Sequence, residues 1–106
     1  MIIYISGPVS GVKNFEEPFK RAKEAIEVRG YETLSILDCE FMQKDAFKWS
    51  DCMKFCIAML EKCCGIVMLD GWKTSVGATI EKAWAEKLGI KVYDGFESIY
   101  TELPDA

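Results

Sequence analysis

Residues 68–88, MLDGWKTSVGATIEKAWAEKL, decide the fold. An apolar run closes on Asp70-Gly71-Trp72, a polar hinge of Lys73, Thr74 and Ser75 follows, and Gly77 opens a helical pattern carrying the carboxylate Glu81. The order is strand, loop, helix. In an open α/β sheet the carboxyl ends of strands and the amino ends of the next helices form the ligand crevice, where free N–H groups attract anions. The i, i+4 spacing stacks Glu81 over Gly77, which has no side chain to block a ligand. On this reading the carboxylate looks into the crevice. The competing reading makes it a boundary glutamate that reaches water. It sits about 100° from the centre of the apolar face expected from Val76, Ile80 and Ala83, and has no Lys or Arg at i±4.

Outward from this stretch, strands and helices alternate. Ile2 to Ser6 is apolar and β-branched and stops at Gly7-Pro8, which reads as a buried first strand rather than a signal peptide, since no basic segment precedes it. The loop Gly7-Pro8-Val9-Ser10-Gly11 either lets backbone approach a phosphate or sugar or is a plain connector. Asn14 with Glu17 resembles a capping box that opens a helix, with Phe15, Phe19, Ala22 and Ile26 at helical spacing and Gly30 as its stop. A second strand is expected over 31–37, a loop over 38–48, and a second helix from Trp49 to about Lys62 with Asp51 at its positive end. The continuous apolar run 65–69 reads as a parallel strand buried on both faces. A third helix over 76–88 stops at Gly89, a fourth strand follows over 90–93, and an acidic tail carries a short helix near Glu97 to Thr101.

This alternation predicts one domain over residues 1–106: a three-layer, flavodoxin-like or Rossmann-like α/β fold, with four parallel strands in the order 2-1-3-4. The switch point then falls between the first and third strands and brings the Gly7 loop beside the Asp70 loop. Gly7, Pro8, Ser10, Gly11, Gly71, Trp72, Ser75 and Gly77 are the candidate ligand contacts, and Asp70 and Glu81 the candidate catalytic carboxylates. Each has a plainer role. Asp70 can cap a turn, Ser75 can serve as a helix N-cap, and Trp72 can be core rather than a platform for a base.

Composition narrows the chemistry. A net charge of -4 in 106 residues disfavours a nucleic-acid polymer as partner, so a nucleotide ligand is expected to be small. No apolar run has the length of a membrane span, and a cytoplasmic protein with no membrane partner is expected. Five cysteines, an odd number with no C-x-x-C pair, argue against both a disulfide framework and a zinc site. Cys52, Cys56 and Cys63 share a helical face with Met53 and Leu60 and read as reduced core residues. The chain has no histidine, which removes the commonest general base and the usual metal ligand. Carboxylates are left to do any chemistry, with no cofactor and no metal expected. Three tryptophans and six phenylalanines, some beyond a single helical stripe, suggest a homodimer or larger oligomer.

Ile3-Tyr4-Ile5-Ser6-Gly7-Pro8, Leu69-Asp70-Gly71-Trp72 and Ser75-Val76-Gly77-Ala78-Thr79-Ile80-Glu81 with Ala83 and Ala85 resemble the nucleoside 2-deoxyribosyltransferase-like proteins, most of all their short, often phage-encoded branch. The resemblance covers about residues 2–93. It implies cleavage of the N-glycosidic bond of a deoxynucleoside or its 5′-monophosphate. The glutamate matching Glu81 would attack the anomeric carbon, and a second base or water would resolve the glycosyl-enzyme. Ser75 and Gly77 match the segment that would hold a 5′-phosphate, and the resemblance also implies an oligomer whose partner chain helps close the pocket. One departure stands out: Cys56 and Cys64 occupy positions where the resembling proteins usually carry aspartates. A thiol neither accepts bidentate sugar contacts nor donates a proton as a carboxylic acid does. Asp45, Asp51 and Asp70 are the carboxylates available to compensate. The alternative is a non-catalytic module of the same fold that sequesters a nucleotide.

Overall fold

The computed structural model describes residues 1–43 and 46–106, with the backbone alone over 40–43. Strand β1 (Ile2–Ser6) leads to helix α1 (Glu16–Glu27) and strand β2 (Glu32–Leu34). A 3-10 segment (Ile36–Gln43), helix α2 (Trp49–Leu60), strand β3 (Gly65–Met68) and a 3-10 turn (Trp72–Thr74) follow. Helix α3 (Val76–Lys87), strand β4 (Lys91–Asp94) and the short helix α4 (Ser98–Thr101) complete the chain. All pairings are parallel and the strand order is β2-β1-β3-β4, the order expected.

Strand alternation divides the core into two layers. Ile3, Ile5 and Val67 face Phe19, Ala22 and Ile26 of α1 and Ile99 of α4. Tyr4, Ile66 and Met68 face Cys56 and Leu60 of α2 and Ala78 and Ala85 of α3. Because β1 and β3 are covered on both sides, nearly every residue in them is buried, and they read as continuous apolar runs. The register sets Ser6 beside Met68 at the carboxyl ends of the two central strands.

Three local expectations need correction. Asn14 does not cap α1: it has φ 57°, Phe15 is the N-cap, and only backbone joins Glu17 N to Asn14 O at 3.2 Å. The second strand keeps only Glu32–Leu34, because Ser35 leaves it to accept from Asp38 N and the chain tightens into the 3-10 segment where a loop was expected. The apolar face of α3 is not Val76, Ile80 and Ala83, all three of which are exposed; Ala78, Glu81 and Ala85 point inward. The short helix expected near Glu97 to Thr101 is α4, and the tail after it packs onto the domain: Leu103 is buried, Tyr31 Oη donates to Pro104 O at 2.7 Å, and Ala106 N donates to Arg29 O at 2.9 Å.

Candidate active site

At the carboxyl ends of β1 and β3 the chain leaves the sheet in opposite directions, the cleft expected at a switch point. A cavity of about 630 Å³ opens there, between the loop after β1, the stretch of α2 from Trp49 to Cys56 and the first two turns of α3. Ser6, Gly7, Pro8 and Ser10 line it from one side, Trp49, Cys52, Met53 and Cys56 from α2, and Ser75, Gly77 and Glu81 from the third. Gly7 is needed where it stands, because a Cβ there would come within 2.9 Å of Leu69 Cβ.

Glu81 is the chemical centre of the cavity. It is buried on α3, and each of its oxygens accepts a hydroxyl from β1: Tyr4 Oη donates to Oε2 at 2.5 Å and Ser6 Oγ to Oε1 at 2.6 Å. Tyr4 and Ser6 can do this together because residues i and i+2 of a strand share one face. These are short, charge-assisted bonds, the stronger kind. Burial pushes the Glu81 carboxyl above the ordinary value, against hydrogen bonds from Ser6, Tyr4 and Cys56 that favour its ionised form. Burial, together with the Glu81 charge, holds the Tyr4 hydroxyl well above the usual phenol range, so it remains a donor. The Cys56 thiol is pushed up to about 12, chiefly by burial, and is neutral. The result is a buried carboxylate gripped by neutral donors. A carboxylate in that setting can act as a nucleophile or as an acceptor for a ligand hydroxyl or amine.

Around this centre the expected site residues separate into two groups. Glu81, Gly7, Pro8, Ser10, Ser75 and Gly77 meet at the cavity. Ser75 is also the N-cap of α3, its Oγ accepting from Ala78 N at 3.2 Å. Gly77 serves packing as well, since a Cβ there would reach Met53 Sδ at 3.3 Å. Gly11, Asp70, Gly71 and Trp72 are not among the described residues lining the cavity. Asp70 Oδ1 accepts from Phe96 N at 3.3 Å, and the Trp72 indole donates to Asp94 Oδ1 at 2.8 Å, so this stretch ties the end of β3 to the end of β4. Gly71 turns the chain with φ 84°. Asp51 caps α2, accepting from Lys48 N at 2.8 Å, and Asp45 lies outside the described residues. Cys56 touches the Glu81 cluster, whereas Cys64 is exposed and donates to Ile2 O.

Tyr4 and Ser6 are the site residues that sequence reasoning missed. The available signal was their alternation: a phenol and a hydroxyl at i and i+2 in an otherwise aliphatic strand must find partners on one face. No group of three or more potential metal ligands occurs among the described residues.

Residues 1–94 match the family model described as "Domain of unknown function (DUF4406)". No curated protein and no solved structure matches the chain.

Proposed function

The chain belongs to the DUF4406 family, a description that names no activity, and we propose that it cleaves the N-glycosidic bond of a small deoxynucleoside or its 5′-monophosphate. The observation that carries this is the Glu81 carboxylate, buried at a cavity wall with a hydroxyl on each oxygen. A glutamate so placed can form a C–O bond to the anomeric carbon as the C–N bond breaks and its electron pair leaves with the base. Water then releases the sugar, or a second base takes it, and the carboxylate is regenerated. The hydroxyls of Tyr4 and Ser6 fix the plane of the nucleophile, so little reorganisation accompanies attack. The start of α3, with Ser75 and Gly77 on the cavity, suits an anionic group of the ligand.

One observation favours a second reading, a nucleotide-binding module without turnover. Retaining glycosidases pair their nucleophile with a carboxylic acid that protonates the leaving group. Glu81 is the sole carboxylate among the described residues lining the cavity, and the neutral Cys56 thiol stands beside it.

Incubation with a panel of deoxynucleosides and their monophosphates, followed by chromatography for free base, separates the two readings. Under the first, wild-type protein releases base and Glu81→Gln abolishes release while ligand still binds by calorimetry. Turnover that survives Glu81→Gln would end the nucleophile assignment. Binding without release in wild type favours the sequestering module. Cys56→Asp then tests what is missing, a positioned acid being worth about 10²–10⁴-fold in rate.

A further inference from the structure

We propose that Ser6 is a positioning residue that acts through Glu81: by donating to Oε1 it holds the carboxylate toward the cavity and sets the pH at which it is ionised. The proposal rests on the nucleophile reading for its kinetic consequence, but its geometry stands alone. Ser6 is 1% exposed, and its one hydroxyl proton is committed to Oε1 at 2.6 Å. Ser6 lines the cavity beside Glu81. The Tyr4 hydroxyl is on the other oxygen, so Ser6 is the hydroxyl donor to Oε1.

The other groups around Glu81 do not duplicate this role. From α2 only Cys56 reaches it, as a neutral thiol and a weak donor. β3 presents Gly65, Ile66, Val67 and Met68, none of them titratable. On β4, the Lys91 ammonium lies over the Tyr93 ring, Asp94 accepts from Trp72, and Tyr93 belongs to the opposite core layer. The Lys73 ammonium in the 3-10 turn lies over the Trp72 ring, and on α3 itself Lys82 pairs with Glu86 at 3.2 Å. Charge compensation for Glu81 therefore comes from hydroxyl donors, and Ser6 is the smaller and more replaceable of the two. The hydrogen bond from Ser6, like those from Tyr4 and Cys56, favours the ionised carboxylate.

The test follows the Glu81 carboxyl itself. Protein labelled with ¹³C at glutamate carboxyls is titrated by NMR, with Glu81→Gln identifying the Glu81 resonance. In Ser6→Ala the midpoint should move upward by about one pH unit, a tenfold fall in the ionised fraction on the acid side. Ser6→Thr, which keeps the hydroxyl, should restore it. If Ser6→Ala fails to fold, Ser6→Cys, close in shape with a weak donor, should show the same upward movement. Where base release is measurable, the acid limb of kcat/KM should move with the resonance, which simple loosening of the strand would not produce. An unchanged midpoint in a folded Ser6→Ala or Ser6→Cys protein overturns the proposal. A shifted midpoint in a protein that releases no base leaves Ser6 as positioning residue and overturns the glycosidase reading instead.

Discussion

At the scale of single residues, Glu81 is a buried carboxyl and a standing cost to the fold. Its carboxyl in the folded protein lies above the ordinary value of 4.5, so the folded state holds a proton at a pH where the unfolded chain has released it. Stability from this group is complete below that ordinary value and is lost as pH rises through the folded one. Glu81→Gln keeps the shape without the charge. In urea titrations between about pH 4 and about pH 7, the variant should gain on wild type as pH rises. Parallel curves would mean that the hydroxyl donors offset burial fully. The sequence singles out Glu81 by its spacing from Gly77, but a helical wheel does not show what faces it. The partners lie 75 and 77 residues away along the chain, on a strand whose aliphatic character hides two hydroxyls. Asp70 misled for a related reason: a strand-ending aspartate looks the same whether it meets a ligand or, as here, the backbone of Phe96.

Among the elements, α3 repays the closest look. Its start was legible, because Ser75 before a helical run is an N-cap signal, and the hydroxyl does accept from Ala78 N. Ser75→Ala should cost about 1 kcal/mol in thermal or urea unfolding, with little change in helix content by circular dichroism. A neutral result would mean that another group caps the helix. Which face turned inward was not legible. With Val76, Ile80 and Trp84 on one side and Ala78 and Ala85 on the other, hydrophobicity favours the wrong face. Small residues decide it, since Ala78 and Ala85 let the helix backbone sit close above β1 and β3 beside Tyr4, Ile66 and Met68. The strands behaved differently: β1 and β3 were plain because burial on both faces leaves continuous apolar runs, whereas β2, with an exposed Glu32 and only three residues, gave a weaker pattern. The 3-10 segment after it depends on Ser35 and Asp38, whose pairing is a matter of turn geometry rather than periodicity.

For the whole molecule, the inward turn of Ala78, Glu81 and Ala85 has a price on the outside of α3. Val76 is 69% exposed, Ile80 40%, Trp84 43% and Leu88 47%, and their i, i+4, i+8, i+12 spacing sets them along one stripe. Monomeric proteins seldom leave such a row of large apolar side chains in contact with water. Within the stripe the Trp84 indole donates to Glu61 Oε2 at 3.1 Å, and the rest of its apolar surface faces outward. We propose that it packs against the same stripe of a second copy, as a two-fold dimer requires of a self-complementary patch. The stripe begins at Val76, which also lines the cavity, so such a dimer would border the Glu81 site. Light scattering at micromolar concentration should report a species heavier than the 12.0 kDa chain. Ile80→Glu, which places a charge in the middle of the stripe and outside the cavity lining, should return it to the monomer without disturbing the core, and unfolding measured on the dilute monomer should change by less than about 0.5 kcal/mol. A wild-type protein found only at 12.0 kDa would refute the dimer and leave the stripe exposed in solution.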